Sequence, residues 1–154
     1  MIKIPKSLKK SMYDYETFYH LSMTEDRLGK FLAHYEAYKI ATKIPGEIVE
    51  CGVFKGTSFV RFALLRELFG GENSSRLIAF DVFSNSYPKT KFKEDKAQRS
   101  FWIKNAGSKS ISTKQLSNNL KEKNIKNFKL VPGDVLKTIP KFKKDNPGLK
   151  ISLL

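Results

Sequence analysis

The chain has 154 residues, 40% of them hydrophobic and 12% aromatic, which fits one globular domain rather than a disordered chain. Its apolar runs are too short to cross a membrane and no signal peptide is recognisable, so we expect a cytoplasmic protein. The formal net charge of +14 suits a nucleic-acid-binding surface, but the lysines are spread along the chain, which favours solvated faces.

Residues 1–21 are basic and aromatic without a clean period, and they predict an N-terminal arm ahead of a domain at 22–154. Ser22-Met23-Thr24-Glu25 matches a capping box, and an apolar stripe at helical spacing follows it. A helix is therefore predicted from this box to Pro45-Gly46. His34 lies beside the stripe and is interpreted as a helix-surface residue.

The next stretch, Ile48-Val49-Glu50-Cys51-Gly52-Val53-Phe54-Lys55-Gly56-Thr57-Ser58, predicts a strand, a tight turn and the start of a helix. Gly52 and Gly56 allow the backbone to turn sharply and to approach a ligand closely. Cys51 falls inside the predicted strand, where a buried, unreactive thiol is favoured over a nucleophile. Because it is the single cysteine, it excludes an internal disulfide and a cysteine-rich metal site.

An apolar helix is predicted at Phe59–Phe69, with Gly70-Gly71 as its C-cap signal. A second buried strand is predicted at Arg76–Phe83. Strand, helix and strand with short connections form a βαβ unit, so the two strands should be parallel and joined by a right-handed crossover.

The segment at 84–110 mixes turn residues, lysines and aromatic side chains, and it predicts a long connection. A functional lid and a variable insertion are equally consistent with it. The remaining predicted elements are a helix capped by Ser112 or Thr113, a third strand at Phe128–Val131, a loop at Pro132–Val135, a short helix broken at Pro140, and a fourth strand at Leu149–Leu154.

Acidic residues follow three of the predicted strands, and the ends of parallel strands face one crevice. Glu50 precedes Gly52 at the first strand end, Asp81 ends the second strand, and Asp134 follows the third. A carboxylate at the second strand end can accept both hydroxyls of a ribose, and one after the third can accept the exocyclic amine of adenine. Glu50 is placed to meet a cationic amino-acid group. Together these residues predict an adenosine site.

The glycine pattern narrows the choice of ligand. Gly52-x-x-x-Gly56 is not the Gly-x-Gly-x-x-Gly of a dinucleotide site, and the missing middle glycine argues against an NAD-binding oxidoreductase domain. Lys55-Gly56-Thr57 has the wrong order for a phosphate-binding Gly-Lys-Ser/Thr motif. S-adenosylmethionine (SAM) carries an ammonium, a sulfonium and an adenosine, and it suits this acidic crevice better than a pyrophosphate does.

These residues resemble the macrocin O-methyltransferase (TylF-type) family. The resemblance starts with Ile44-Pro45-Gly46-Glu47-Ile48-Val49-Glu50-Cys51-Gly52-Val53-Phe54-Lys55-Gly56-Thr57-Ser58. It continues through Phe80-Asp81-Val82-Phe83 and Val131-Pro132-Gly133-Asp134-Val135 into Lys150-Ile151-Ser152-Leu153-Leu154, and it covers about residues 24–154.

The resemblance implies a class I methyltransferase fold: an α/β, Rossmann-like parallel sheet with flanking helices. It also implies methyl transfer from SAM to a hydroxyl, often on a sugar. Family members use a divalent metal, usually Mg²⁺, held by aspartates that follow the fourth strand. This sequence ends before such aspartates, so the metal ligands and the catalytic residues are expected beyond Leu154. We therefore expect a SAM-binding fragment whose sheet is incomplete at its C-terminal side.

The predicted function is a SAM-dependent methyltransferase acting on a hydroxyl of a small, sugar-like acceptor. The alternative is a nucleic-acid-binding module or an RNA methyltransferase that uses the basic surface. No membrane partner is expected, whereas a homo-oligomer and a complementing C-terminal polypeptide both stay open. The predicted cofactor-binding residues are Glu50, Cys51, Gly52, Gly56, Thr57, Ser58, Asp81, Gly133 and Asp134.

Overall fold

The computed structural model describes residues 11–70, 75–84 and 92–154. Residues 1–10 of the predicted basic arm, the cap residue Gly71 and the predicted turn after Ser84 lie outside the described residues. No helix in the described ranges is long and apolar enough to span a membrane. The elements are α1 (Met12–Ser22), α2 (Glu25–Ala41), β1 (Glu47–Cys51), α3 (Thr57–Phe69), β2 (Leu77–Asp81), α4 (Lys93–Ala106), α5 (Thr113–Glu122), β3 (Phe128–Pro132), α6 (Val135–Asp145) and β4 (Ile151–Leu153).

The four strands form one parallel sheet in the order β3-β2-β1-β4. Ile48 of β1 pairs with Leu77 of β2, and Leu77 pairs in turn with Phe128 of β3. The predicted α/β fold with a parallel sheet is confirmed. The predicted strands are present, and their ends differ from the prediction by one or two residues: β2 and β4 are shorter, whereas β3 extends to Pro132.

Alternation along the strands divides the core into two layers, because successive side chains in a strand point to opposite faces. Ile48 and Leu77 belong to the cluster that packs under α2, α3 and α5, together with Phe59 and Leu116. Their neighbours face the other side, where the second cluster packs against α6: Val49, Ile78, Phe80 and Phe142. Helices thus cover both faces of the sheet, as a parallel sheet requires.

The N-terminal helices begin differently from the prediction. The predicted box at Ser22–Glu25 is wrong: Ser22 is the last residue of α1, and Thr24 is the N-cap of α2, without a side-chain cap hydrogen bond. A capping box does occur one helix earlier, where the Ser11 hydroxyl accepts from the Asp14 N–H and the Asp14 carboxylate accepts from the Ser11 N–H. The same kind of spacing occurs in both places, but only the earlier one forms the reciprocal hydrogen bonds.

His34 is also not the simple surface residue that was expected. Its ring stacks on Phe62 of α3, with centroids 4.9 Å apart, and its Nδ1 lies 3.1 Å from a guanidinium nitrogen of Arg61. Burial lowers the pKa of His34, and the positive charge of Arg61 lowers it further. His34 therefore contributes to the packing of α2 on α3.

Two predictions for the second half of the chain are corrected. The segment at 84–110 is not a continuous loop, because residues 93–106 form α4. This helix buries no residue, and its large apolar side chains, Phe101, Trp102 and Ile103, are consecutive in sequence, so no apolar stripe at helical spacing reveals it. The predicted break at Pro140 is absent, and α6 continues through it. The buried ring of Phe142 packs edge-on against Phe80 at 5.2 Å, and this packing offsets the hydrogen bond that proline cannot donate.

Gly46, the residue before β1, lies against the backbone of β4. A Cβ on Gly46 would lie 2.7 Å from the Ser152 nitrogen and 2.8 Å from the Ile151 carbonyl carbon, and φ is +153°. We expect Gly46→Ala to lower the free energy of unfolding by about 2 kcal/mol or more, measured by urea denaturation. Gly29, in the exposed middle of α2, has nothing within 4 Å of the same position. Gly29→Ala should therefore raise the free energy of unfolding by about 0.5–1 kcal/mol. Equal effects of the two substitutions would contradict the close contact between Gly46 and β4.

Candidate functional site

A cavity of about 450 Å³ opens at the carboxyl edge of the sheet. Parallel pairing brings the ends of β1, β2 and β3 to this edge, and hydrogen bonds extend the pairing beyond the strands. The Gly52 N–H donates to the Phe80 carbonyl at 2.8 Å, and the Gly133 N–H donates to the Asp81 carbonyl at 2.9 Å. The cavity is lined by Gly52, Phe54, Asp81, Val82, Ser110, Asp134 and Val135.

Three of the predicted residues, Gly52, Asp81 and Asp134, meet in this cavity. Gly52 has φ +87°, a conformation that favours glycine, and a Cβ there would point into open space. Gly56 has a different role, because a Cβ on it would lie 3.3 Å from Leu116 Cδ1 and 3.6 Å from the Ile111 side chain. Gly56 thus allows the turn to pack on α5, while Gly52 leaves the cavity floor open.

Asp81 is buried, with 8% of its surface exposed, and its carboxylate is engaged by the chain around it. Oδ2 accepts hydrogen bonds from the Val53 N–H at 2.6 Å and the Phe54 N–H at 3.0 Å. Oδ1 accepts from the Phe83 N–H at 2.8 Å. The predicted ribose contact must therefore share this carboxylate with the glycine turn, which the sequence did not indicate.

Glu50 lies beside the cavity rather than among its lining residues. Its Oε1 accepts a hydrogen bond from the Ser58 hydroxyl, and its Oε2 is buried without a hydrogen-bond partner among the described residues. Burial raises the pKa of Glu50; the Ser58 hydroxyl and the charge of Lys30 oppose the shift, whereas the charge of Asp81 adds to it. A buried carboxylate oxygen without a donor is costly unless a ligand supplies one.

The other predicted residues of the turn are outside the cavity lining. Cys51 is exposed, which corrects the expectation of a buried thiol; it is the last residue of β1, past the point where both sheet faces are covered. Partial burial of its sulfur and the neighbouring charge of Glu50 raise its pKa, so the thiol stays protonated at neutral pH. Thr57 is the first residue of α3, and Ser58 holds Glu50.

The loop after β3 places Asp134 at the start of α6. Its Oδ1 accepts from the Leu136 N–H at 2.9 Å, so this carboxylate caps the helix, and the residue is exposed at the cavity. Gly133 has φ +133°, and a Cβ on it would lie 2.9 Å from Thr138 Cγ2. Gly133 therefore allows the tight turn that places Asp134 at the cavity.

Four lining residues were not among the predicted ones: Phe54, Val82, Ser110 and Val135. Phe54, Val82 and Val135 each lie next to or between predicted residues, so a wider window around each strand end would have included them. Ser110 carries no such signal. It reaches the cavity because the chain after α4 returns to the glycine turn, where the Ser110 hydroxyl donates to the Phe54 carbonyl at 2.7 Å.

A second cavity, of about 400 Å³, lies at the amino edge of the sheet. It is lined in part by Glu47, Arg76 and Lys150. Ligands of parallel α/β sheets bind outside the carboxyl ends of the strands, so the cavity at Gly52 is the functional candidate.

The described residues do not fit a magnesium site. Residues 11–70, 75–84 and 92–154 bring together no group of three histidine, cysteine, aspartate or glutamate side chains that could hold a metal ion. No step of the reaction is therefore assigned to the metal that the family resemblance implies.

A parallel sheet covered by helices on both faces, with a glycine turn after its first strand, defines a Rossmann-like α/β protein. The macrocin-O-methyltransferase (TylF) family model matches residues 3–151. The chain therefore belongs to this family. Among curated protein sequences, none matches the chain significantly.

Solved structures support the same fold. The chain is similar to "CalS11, Calicheamicin Methyltransferase", with a TM-score of 0.67 and 21% identity over 93% of this chain and 58% of that one. An apo structure of CalS11, described as a TDP-rhamnose 3'-o-methyltransferase, gives a TM-score of 0.56 at 21% identity over 92% and 55%. The O-methyltransferase NovP gives 0.59 at 14% identity over 72% and 47%. The chain thus spans about half the length of these structures, and none of them supports the nucleic-acid alternative.

Proposed function

We propose that the chain forms the SAM-binding part of an O-methyltransferase that acts on a hydroxyl of a small, sugar-like molecule. The observation that carries the proposal is the cavity at the carboxyl edge, flanked by Glu50, whose buried Oε2 has no hydrogen-bond partner within the described part of the chain. The cavity volume of about 450 Å³ falls within the range of small-molecule sites. Family membership supports the reaction class, and the name of the CalS11 structure motivates the sugar hydroxyl.

The residues present suit the chemical parts of SAM. The adenosine would lie between the ends of β2 and β3, near Asp81 and Asp134, with Val82 and Val135 as apolar contacts. The amino-acid end would cross Gly52, where no side chain blocks it, and its ammonium would donate to Glu50. The remaining predicted residues shape the turns around the ligand: Cys51, Gly56, Thr57, Ser58 and Gly133.

When bound, SAM supplies an electrophilic methyl group on its sulfonium. Methyl transfer is an in-line displacement, so the protein's main contribution is to position the donor and the acceptor oxygen. The glycine turn and the strand ends do this for the donor.

Calorimetric titration with S-adenosylhomocysteine, the demethylated product, tests the proposal directly. We expect saturable binding with one site per chain. Gly52→Val should weaken it by at least about tenfold, because valine at this positive φ is strained and its side chain would enter the cavity.

Gly148→Val is the matched control, since Gly148 lies at the second cavity and a Cβ there meets nothing within 4 Å. It should bind like the wild type. A folded wild-type protein that does not bind the ligand, as judged by circular dichroism and calorimetry together, would refute the proposal.

A further inference from the structure

The turn between β1 and α3 is fixed by contacts that do not involve a ligand. Val53 and Phe54 both direct their N–H groups at Asp81 Oδ2, and Asp81 is 28 and 27 residues away in sequence. The carbonyl of Phe54 accepts from the Ile111 N–H at 2.7 Å and from the Ser110 hydroxyl at 2.7 Å. The peptide groups on both sides of Phe54 are therefore held from opposite directions.

This restraint matters because the turn is in a conformation that the chain does not adopt freely. Phe54 has φ +52°, in the left-handed region that a residue with a Cβ occupies only at a cost of about 1 kcal/mol or more. Hydrogen bonds to a buried carboxylate contribute about 1.5–3 kcal/mol each, enough to offset that cost. Without them, Phe54 would relax toward negative φ and the turn would change shape.

We infer that Asp81 is a positioning residue: it holds the Gly52–Gly56 turn in its ligand-ready shape before any ligand arrives. Its single methylene keeps the carboxylate close to the turn, and Phe83 fixes the other oxygen from behind at 2.8 Å. This role is separate from the ribose contact proposed for Asp81, because all of its contacts are made within the chain. The positioning role itself does not depend on the proposed function, whereas its effect on ligand affinity does.

Amide hydrogen exchange, followed by NMR on the ligand-free protein, tests the positioning role by itself. In Asp81→Ala, the Val53 and Phe54 amides should exchange at least about tenfold faster, while those of Ile78 in β2 and Leu116 in α5 keep their protection. Asp134→Ala is the matched control: it removes a carboxylate from the same cavity that caps α6 instead of the turn, so both amides should exchange as in the wild type.

Should Asp81→Ala fail to fold, Asp81→Asn serves as the second variant, because its carboxamide oxygen can accept from the turn while its NH₂ cannot accept from Phe83. It should give an intermediate acceleration. Unchanged exchange of Val53 and Phe54 in a folded Asp81 variant would overturn the inference.

Ligand affinity separates positioning from direct contact. Binding of S-adenosylhomocysteine is compared with binding of its analogue that lacks both ribose hydroxyls. If Asp81 positions the turn, Asp81→Ala should also weaken binding of the analogue, by about tenfold. Equal affinity of wild type and Asp81→Ala for the analogue would show a ribose contact alone and overturn the inference. A wild type that binds neither compound would overturn the proposed function, and the exchange experiment then decides the positioning role.

Discussion

Replacing Arg66 by methionine is expected to destabilise the fold by about 3–5 kcal/mol, a large part of the 5–15 kcal/mol typical of a domain. Arg66 is fully buried, in the last turn of α3. One guanidinium nitrogen donates to the carbonyls of Asn127, at 2.8 Å, and Ser75, at 3.3 Å. The second terminal nitrogen donates to the Lys126 carbonyl and, at 2.7 Å, to a Glu67 carboxylate oxygen, and Nε donates to the same oxygen at 3.1 Å.

These contacts join three parts of the chain at the amino edge of the sheet: the end of α3, the residues before β2 and the residues before β3. Methionine has a similar length but donates nothing, so the Ser75 and Lys126 carbonyls and the Glu67 carboxylate would lose the Arg66 donors, while the Asn127 carbonyl would keep the Leu77 N–H, at 3.1 Å. Each such loss costs about 1–3 kcal/mol before relaxation. Arg66→Lys keeps the charge but not the planar fork, so its effect should be smaller yet still clear.

Thermal and urea unfolding measure this effect, with Arg27→Met as the matched control. The Arg27 side chain is 67% exposed, and its nearest carboxylate, on Asp26, is 4.0 Å away, so its loss should change stability by at most about 0.5 kcal/mol. A loss of about 3–5 kcal/mol corresponds to a fall in Tm of roughly 10 °C for a chain of this size. Equal unfolding curves for the two variants would contradict the structural role of Arg66.

The sequence predicted the sheet well because each step rests on local pattern. The apolar runs at Ile48 and Leu77 are separated by an apolar helix, and that order favours a parallel pair with a right-handed crossover. Parallel pairing then brings the strand ends together, so the meeting of Gly52, Asp81 and Asp134 followed from their positions after strands. Helix α4 escaped prediction because it buries no apolar face.

The contacts inside the site could not be predicted in the same way. Whether the Asp81 carboxylate faces the ligand or the turn depends on the direction of its side chain. That direction is set by the backbone of Val53, which is 28 residues earlier in the sequence. Arg66 looks in sequence like any arginine at the end of a helix, and only the packing of α3 on the sheet buries it. Cys51 is the opposite case: the apolar run of the first strand predicts a buried residue, but Cys51 is the last residue of the strand and is exposed.

Glu50→Gln is expected to weaken S-adenosylhomocysteine binding by about 10–100-fold without destabilising the free protein. The buried Oε2 has no donor from residues 11–70, 75–84 and 92–154, and the ligand's ammonium would supply one with an opposite charge. A hydrogen bond to a charged group contributes about 1.5–3 kcal/mol, a range that corresponds to this loss of affinity. 5′-Methylthioadenosine lacks the amino-acid group, so its affinity should be the same for both proteins.

The pH dependence of stability provides an independent check. Burial raises the pKa of Glu50, which means that folding disfavours its ionised form. The protein should therefore lose stability as the pH rises from the ordinary glutamate pKa through the raised one, and Glu50→Gln should abolish that loss. Urea denaturation between about pH 4 and pH 8 measures it. Glu47→Gln, at the opposite end of β1 beside Arg76, is the control and should leave ligand binding unchanged.

Ionisation of Glu50 should also control the affinity for the ligand. Binding of S-adenosylhomocysteine is expected to strengthen as the pH rises through the raised pKa of Glu50, because only the ionised carboxylate attracts the ammonium. Stability and affinity then change in opposite directions over one pH interval, and both trends vanish in Glu50→Gln. If that variant kept the wild-type affinity at neutral pH, Glu50 would not be the ammonium's partner. The opposed trends would show that the site keeps a destabilising carboxylate in the free chain because the ligand needs its charge.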